Sequence, residues 1–296
     1  MKKAHTGIMA GVRLTKETWR PLLEKSDSPA LVRLVIHVGL VLFLATIISF
    51  RPPYWPALVI LQGVTLIFLF APLHECIHNT AFKSTWCNRL VAIACGWLLL
   101  LPPAWFRYYH LNHHRFTNDP ARDPELIIPK PLNRRDHLIY MTGLTTWWRQ
   151  LLVLLRNAFG QNRDDFIPRK AHRRITLEAA LFIAAYGIAY QIIGDAVYWS
   201  WVLPALIGQP FLRGFLLAEH LNCPNVRNMT ENSRTTITNV VVRWLTWNMS
   251  FHAEHHCQPA VPFHKLPLLH RHLRSQLQVT QKGYFHLNRN HWSRLT

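Results

Sequence analysis

Cysteine-based binding motifs are missing from this sequence. Its five cysteines form no Cys-x-x-Cys pair, which excludes a zinc ribbon or a rubredoxin-type site and leaves no readable disulfide framework. Free thiols in a reducing compartment are the expected state. A cytochrome b5-like His-Pro-Gly-Gly stretch, a ferredoxin-type cysteine set and a Gly-x-Gly-x-x-Gly dinucleotide fingerprint are missing as well. Any redox chemistry at this chain is therefore expected to draw its electrons from a separate protein.

Acidic residues are scarce, with 15 Asp and Glu against 33 Lys and Arg and a formal net charge of +18. Half of the residues are apolar and fall into long blocks, which argues against a nucleic-acid partner and favours a membrane protein with a basic surface facing anionic lipid. That surface could also steer an acidic substrate or an acidic electron-transfer partner. The N-terminus starts basic, but residues 7–28 are polar, so no cleavable signal peptide is expected.

Four apolar segments are long enough to cross a bilayer, which takes about 20 helical residues. They cover approximately residues 31–50, 55–73, 176–193 and 196–217, and they follow a polar, basic segment of residues 1–30. The 296 residues are therefore expected to form a single all-α integral membrane domain with four transmembrane helices and a cytoplasmic helical cap.

Two other segments are predicted not to cross. Residues 90–101 are apolar but too few to span comfortably, and two prolines follow them, so a re-entrant or interfacial segment is expected. Residues 140–159 carry apolar side chains at helical spacing, interrupted by Arg149 and Arg156. They predict one amphipathic helix, which lies either at the membrane interface or packed on the protein as an ordinary surface helix.

Basic residues set the expected orientation. The two candidate outer turns contain only Arg51, whereas both terminal regions and the middle segment hold nearly all other Lys and Arg. By the positive-inside tendency, residues 74–175 and 218–296 and both termini are cytoplasmic, and the expected location is a bacterial inner membrane.

Histidine is concentrated in three clusters on this cytoplasmic side. His110-Leu-Asn-His-His114 recurs in spacing as His252-Ala-Glu-His-His256, and a wider pair, His74 and His78, precedes both. Positions i, i+3 and i+4 share one face of a helix, so each cluster is expected to present its imidazoles to one point. A further histidine, His220, ends the fourth span.

These nine imidazoles are too many for one ion, because octahedral coordination uses six positions. Two metal ions are therefore expected, and imidazole suits Zn, Fe, Cu and Ni alike. The ring nitrogen that does not bind metal needs an acceptor. Candidate groups close in sequence are Glu75, Asn112, Asn118, Asp119, Asp123, Glu219, Asn248 and Glu254.

The motifs His74-x-x-x-His78, His110-x-x-His-His114 and His252-x-x-His-His256, with His220 at a span end, resemble the membrane fatty-acid desaturase superfamily in order, spacing and placement. The resemblance covers roughly residues 31–275. It implies a non-haem di-iron site of two iron ions that uses O₂ to desaturate or hydroxylate the acyl chain of a lipid. Its implied iron ligands are His74, His78, His110, His113, His114, His220, His252, His255 and His256.

The resemblance also implies a membrane lipid or lipid-like substrate, and a ferredoxin- or cytochrome b5-like electron donor with its own reductase. One position departs from the pattern of some acyl-CoA desaturases, which place an Asn four residues before the fourth-span histidine to hold a metal through water. Here that position is Leu216, so no such water-bridged contact is expected there.

Other functions use the same residues. A carotenoid or small-amphiphile hydroxylase or ketolase would need the same metal apparatus. His74-Glu75-x-x-His78 also matches the zinc-protease motif His-Glu-x-x-His, but an intramembrane metalloprotease would leave both His-x-x-His-His clusters unexplained. A metal transporter or sensor is a third class, in which the histidines would line a path through the spans.

Overall fold

The computed structural model describes residues 16–296, so the first half of the expected polar segment, residues 1–15, lies outside the described residues. The described chain is mostly helical, as expected. Its helices are α1 Lys16–Leu22, α2 Asp27–Ser49, α3 Trp55–Ile67, α4 Phe70–His78, α5 Thr85–Leu98, α6 Pro103–Phe116, α7 Arg134–Thr142, α8 Leu144–Ala158, α9 His172–Ile193, α10 Leu203–His220, α11 Met229–Asn232, α12 Val240–Leu245, α13 His252–Cys257, α14 Leu266–Leu273 and α15 Tyr284–Arg294. Short 3₁₀ turns lie at Pro124–Ile127, Arg169–Ala171 and Phe263–Lys265, and a π-helical turn lies at Tyr198–Val202.

Four helical segments of the described chain are long and apolar enough to cross a membrane, which confirms the expected number. They run Glu17–Ser49, Trp55–His78, Arg169–Ile193 and Tyr198–His220. In the second and fourth spans the helix continues beyond the apolar residues, and this last part of each helix carries histidines. The second span therefore delivers His74 and His78 on α4, and the fourth delivers His220 on α10.

Two glycines bring the second and fourth spans into close contact. A Cβ added to Gly63 of α3 would lie 2.4 Å from the carbonyl oxygen of Pro204, and one added to Gly208 of α10 would lie 2.3 Å from the carbonyl oxygen of Gly63. Small residues allow helix backbones to approach in this way. The crossing holds the histidine-bearing ends of both spans at one place.

The segment over residues 90–101 turns back instead of crossing. Helices α5 and α6 meet at an angle of 97°, at a break where Leu100 has a φ of 57° and Pro102 and Pro103 follow. Helix α6 then places His110 beside His74, with ring centroids 4.4 Å apart. Both histidines therefore lie on the same side, as the expectation of a non-crossing segment requires.

The expected single helix over residues 140–159 is wrong in one respect, because α7 ends at Thr142 and α8 begins at Leu144. Gly143 between them has a φ of 67°, and a Cβ there would lie 2.3 Å from Gln209 Oε1. Only glycine meets both conditions without strain. Helix α8 leaves its apolar residues Leu144, Trp148 and Leu152 exposed, which favours the interfacial position over the packed surface helix.

The region after the fourth span contains one small sheet that the all-helical expectation did not include. Strand β1, Thr235–Ile237, pairs in parallel with β2, Thr280–Lys282, with Thr235 opposite Thr280. The sheet is short, and Thr236 N also donates to Ser250 O. It fixes the segment that precedes α13 and the third histidine cluster.

Candidate metal centre

Side-chain nitrogens from all nine expected histidines converge in two adjacent groups. Within each group, one nitrogen from every residue lies within 4.8 Å of the others. Rings of the two groups stack where His114 meets His256, with centroids 4.1 Å apart. The first group consists of His74, His78, His110, His114 and His255, and the second of His113, His220, His252 and His256.

Each His-x-x-His-His cluster is divided between the two groups, so the expectation that a cluster faces one point is wrong. His110 and His114 enter the first group, whereas His113 enters the second. At about 100° per residue, positions i and i+4 differ by about 40°, while i+3 points about 60° to the other side of i. The third cluster is divided in the opposite sense, since His255 alone joins the first group.

The spacing of the Nε2 atoms fits metal coordination. His110 and His114 have Nε2 atoms 2.9 Å apart, as do His220 and His252. The Nε2 pairs of His114 with His255 and of His113 with His220 are 3.2 Å apart. Two bonds of about 2.1 Å to one ion, at right angles, place the nitrogens about 3.0 Å apart. The buried Nε2 atoms of His78 and His256 have no hydrogen-bond partner among residues 16–296, so they too are available to an ion.

Outward-facing Nδ1 atoms contact acceptors that set the tautomers. His113 Nδ1 lies 3.0 Å from both oxygens of Asp123. His252 Nδ1 lies 3.1 Å from Glu219 Oε1, but without the geometry of a hydrogen bond. His220 Nδ1 donates to the carbonyl oxygen of Asn232 at 3.0 Å. A proton held on Nδ1 leaves the Nε2 lone pair directed into the group, which is the state that binds metal.

Electrostatics favour neutral rings at most positions. Burial lowers the pKa of His255 and of His114 well below 6.5, so their nitrogen lone pairs stay free. His113 is different. Burial lowers its pKa, but the carboxylates of Glu125 and Asp123 outweigh that effect and the pKa is raised overall.

Of the expected orienting carboxylates, Asp123 and Glu219 contact histidines of the two groups. Glu75 is less well placed, because its nearest oxygen is 3.9 Å from His74 Nδ1, and it accepts hydrogen bonds from Thr80 Oγ1 at 3.0 Å and from Phe263 N at 3.1 Å. Its main contacts therefore join α4 to the segment before α14.

The expectation fails for three other candidates. Asp119 lies toward the surface and accepts from Arg122, and Asn248 donates to the carbonyl oxygen of Phe263. Glu254 is fully buried but accepts from Thr235 and pairs with His270. A residue adjacent to a ligand on a helix usually faces elsewhere, and here Glu254 points away from its neighbour His255. His270 thereby braces α13.

Of the two asparagines Asn118 and Asn112, only the first is linked to a histidine of the groups, and the link is indirect. Asn118 Nδ2 donates to the carbonyl oxygen of Asn232, the oxygen that also accepts from His220, whereas Asn112 donates to the backbone of Arg122. Two contacts escaped the sequence analysis. Glu125 lies 3.4 Å from His110 Nδ1, and Thr117 Oγ1 lies 3.3 Å from His256 Nδ1. The acidic pattern Asp123-Pro-Glu125 was the only signal for Glu125.

A cavity of about 610 Å³ adjoins the imidazoles. It is within the usual size range of small-molecule sites. His74 and His110 of the first group and His113, His220 and His252 of the second line one part of it. Aromatic and aliphatic side chains line much of the remainder, and Leu216 is among them; the others are Phe70, Leu101, Trp105, Phe106, Leu126, Ile127, Ile128, Trp148, Leu152, Val153, Phe166 and Leu217. A long apolar chain entering the cavity would reach both imidazole groups.

Comparison with known proteins gives a consistent result. The family model described as fatty acid desaturase matches residues 50–288. The chain is 28% identical to a sphingolipid delta(4)-desaturase of Drosophila melanogaster, over 71% of this chain and 63% of that protein. It is 25% identical to a sphingolipid delta(4)-desaturase/C4-monooxygenase of Rattus norvegicus, over 74% and 63%. It is 22% identical to an sn-1 oleoyl-lipid 12-desaturase of a Picosynechococcus strain, over 83% and 77%. The chain thus spans less than two thirds of the length of the first two relatives.

Proposed function

This chain belongs to the fatty acid desaturase family, and we propose that it is an O₂-dependent di-iron oxidoreductase that desaturates or hydroxylates the acyl chain of a membrane lipid. The observation that carries the proposal is the pair of adjacent imidazole groups at one largely apolar cavity. Relatives named as lipid desaturases support the acyl chain as substrate. One relative is named both desaturase and monooxygenase, so either product is compatible with the family.

The nine histidines of the two groups are the proposed ligands of two iron ions. Five imidazoles surround one position and four surround the other, which leaves coordination sites for oxygen ligands. Iron supplies the redox chemistry that O₂ reduction and C–H oxidation need, and zinc lacks it. Asp123 accepts the Nδ1 proton of His113, and the carbonyl oxygen of Asn232 accepts that of His220, which keeps these rings oriented and raises their basicity.

The chain's own contribution to rate is the placement of the substrate. Buried aromatic walls at Trp105 and Phe106 bind a methylene chain and exclude water. Holding the reacting carbon at the imidazole end of the cavity converts an encounter into a positioned reaction, which supplies much of the rate of such enzymes. Placement of the second hydrogen then decides between alkene and alcohol.

Electrons are proposed to come from a separate ferredoxin- or cytochrome b5-like donor with its reductase. His78 and His114 are the only partly exposed members of the two groups, so the first group is the nearer one to the surface. Arg115, beside His114, is exposed, and basic charge there would attract an acidic donor.

The four spans make the protein integral to a membrane. We propose that the metal centre and both termini face the cytoplasm, because nearly all basic residues lie on that side. A bacterial inner membrane is the proposed location. A protease-protection assay on sealed vesicles, with a tag after Thr296, tests this orientation.

The competing functions fit the site less well. In a metalloprotease Glu75 would be the general base. Here it is fully buried and accepts hydrogen bonds from Thr80 and Phe263, and it is not among the residues that line the cavity. The histidines gather at one end of the spans, which disfavours a transport path. Oxidation of a carotenoid or a small amphiphile remains the second candidate, because the cavity walls are apolar and would accept either.

The test is lipid and metabolite profiling of cells that express the chain under oxygen, with iron measured in the purified protein. His220→Ala and His255→Ala should each lose iron and abolish new lipid products. His272→Ala is the matched control, because His272 is an exposed histidine on α14 and should behave as the parent chain. Unchanged products in the first two variants, or an active preparation that contains zinc without iron, would overturn the proposal.

A further inference from the structure

A second groove opens between the first span and α12, away from the cavity beside the imidazoles. Its volume is about 600 Å³. Helix α2 contributes Val32 and Arg33 to its lining, and α12 contributes Val240, Arg243 and Trp244. None of the residues that line this groove lines the imidazole cavity, so the substrate proposed above does not account for it.

Two arginines meet at this groove. Arg33 Nη1 donates to the carbonyl oxygens of Arg243 and Trp244, both at 3.3 Å, so α2 and α12 are in direct contact. The buried Nε of Arg243 finds no acceptor within residues 16–296. No carboxylate of the described chain pairs with either guanidinium within 4.0 Å. The two positive charges are therefore left without a counter-charge from these residues.

The other charged groups close by do not reverse the sign of the groove. His264 lines it, and the charged neighbours of His264 are Arg33, Lys265 and Glu24. Glu24 is exposed and does not line the groove, and Asp27 at the start of α2 accepts a backbone N–H from the segment after α4. No Asp or Glu of the described residues is part of the lining. The ligand that complements the groove is thus an anion, and guanidinium groups match phosphate in particular.

The groove lies at the depth of the lipid headgroups. Arg33 is two residues inside the apolar run that begins at residue 31, about 3 Å along the helix axis, so its long side chain reaches the headgroup layer. Val32 and Val240 are exposed beside the arginines, and tryptophan, here Trp244, is enriched at membrane interfaces. A phospholipid matches both the cationic and the apolar walls, whereas a soluble anion matches only the first.

We propose that this groove binds one anionic phospholipid, whose phosphate accepts hydrogen bonds from Arg33 and Arg243 while its acyl chains pack against Val32 and Val240. Basic sites next to membrane-spanning helices commonly bind anionic headgroups. The lipid is a bound component of the structure and not the substrate, because the groove is separate from the imidazole cavity.

Such a lipid would also support the segments around the metal centre. Asn248 lines the groove and donates to the carbonyl oxygen of Phe263 at 3.0 Å, and Phe263 N donates to Glu75 Oε2 at 3.1 Å. Arg33 lies over the Phe263 ring, with its Cζ 5.1 Å from the centroid. Glu75 is the neighbour of His74 on α4. A lipid that fixes α2 against α12 therefore stabilises a segment to which a histidine-bearing helix is bonded.

Binding is measured by native mass spectrometry of the full chain in a neutral detergent, which counts the lipids on each protein. The probes are dioleoylphosphatidylglycerol, dioleoylphosphatidylcholine and dioleoylglycerol, which share their acyl chains and differ in the headgroup. The parent chain should bind one phosphatidylglycerol at least about tenfold more tightly than either of the others, the effect of one hydrogen bond to a charged group. Excess inorganic phosphate should not displace it, because inorganic phosphate has no apolar part.

Arg243→Gln should weaken the binding of phosphatidylglycerol about 10- to 100-fold. Val32→Glu places a carboxylate at an exposed groove position without removing a contact of either arginine, and it should weaken binding too, so it decides the matter if Arg243→Gln fails to fold. Arg173→Gln is the matched control, because Arg173 is an exposed arginine in the first turn of α9, and its affinity should equal that of the parent. Iron content should stay at the parent level in all three variants, since none of the three positions lines the imidazole cavity.

Melting temperature gives a second readout. Phosphatidylglycerol should raise it for the parent and for Arg173→Gln, but not for Arg243→Gln. An equal loss of binding in Arg243→Gln and Arg173→Gln would assign the attraction to the overall positive charge and overturn the proposed site. Equal affinity for phosphatidylglycerol and dioleoylglycerol, displacement by inorganic phosphate, or unchanged binding in both groove variants would overturn it as well. None of these measurements requires turnover, so their failure would leave the proposed oxidation reaction untouched.

Discussion

Replacement of Asp123 by asparagine isolates the effect of one carboxylate on the second histidine group. Asp123 is buried, with 5% exposure, and both of its oxygens lie 3.0 Å from His113 Nδ1. One oxygen also accepts from the backbone N–H of Asn118 at 2.8 Å, and the other from that of Glu125 at 3.0 Å. Both oxygens of Asp123 thus have only N–H donors as neighbours, so the amide nitrogen of an asparagine at this position must face a donor.

The expected loss follows from those contacts. Removal of a group that orients a metal-binding histidine typically lowers metal affinity 10- to 100-fold, about 1.4–2.7 kcal/mol. A buried donor left unsatisfied costs about 1–3 kcal/mol of stability in addition. Glu125, 3.6 Å from His113 Nδ1, limits the loss, because a second carboxylate remains. The first group does not include His113 and should keep its affinity.

The assay is anaerobic equilibration of purified protein with graded Fe²⁺ buffers, followed by measurement of iron per chain. Asp123→Asn should require about 10- to 100-fold more free Fe²⁺ than the parent to fill the site of the second histidine group, with the site of the first group unchanged. Asp119→Asn is the control, because Asp119 is a sequence neighbour whose carboxylate pairs with Arg122 at the surface. Equal iron binding by the parent and by Asp123→Asn, or an equal loss in both variants, would refute the reasoning.

Three further outcomes are expected. Gly63→Ala should lower the unfolding free energy by about 1–3 kcal/mol through overpacking, since its Cβ would lie 2.4 Å from the carbonyl oxygen of Pro204. Gly187→Ala, whose Cβ would meet nothing within 4 Å, should not lower it. Denaturant titration in detergent measures both variants. Glu75→Gln should keep lipid oxidation within about tenfold of the parent, about 1.4 kcal/mol of barrier, and near-complete loss would favour the protease function instead. Burial lowers the pKa of His264 from 6.5 to about 4, so between these pH values the unfolded state binds more protons and stability falls as the pH drops. His264→Gln should therefore flatten the dependence of the melting temperature on pH over this interval, and an unchanged dependence would contradict the assignment.

Several features were predictable because they depend on local pattern. The lengths of the apolar runs gave the four spans, and the short run over residues 90–101 with its prolines predicted the turn that α5 and α6 make. Histidine spacing and the placement of each cluster at a span end predicted which nine side chains would meet. Gly143 was overlooked as a helix break, because its role depends on Gln209 of another helix.

Residue-level contacts around the imidazoles were the hardest to predict. Adjacency in sequence selected Asp119, Asn248 and Glu254, which the structure directs elsewhere. Glu125 and Thr117 contact histidines through folds of the chain that spacing does not report.

The sequence by itself determined the membrane class, the number of spans and the identity of the nine converging histidines, because hydrophobic length and helical periodicity are properties of short segments. The tertiary structure decided how each cluster divides between two groups, which carboxylates contact the rings, and which side chains enclose the cavity beside them. Those features depend on helices brought together from distant parts of the chain, at crossings such as Gly63 against Gly208, and close packing of that kind is set by three-dimensional fit.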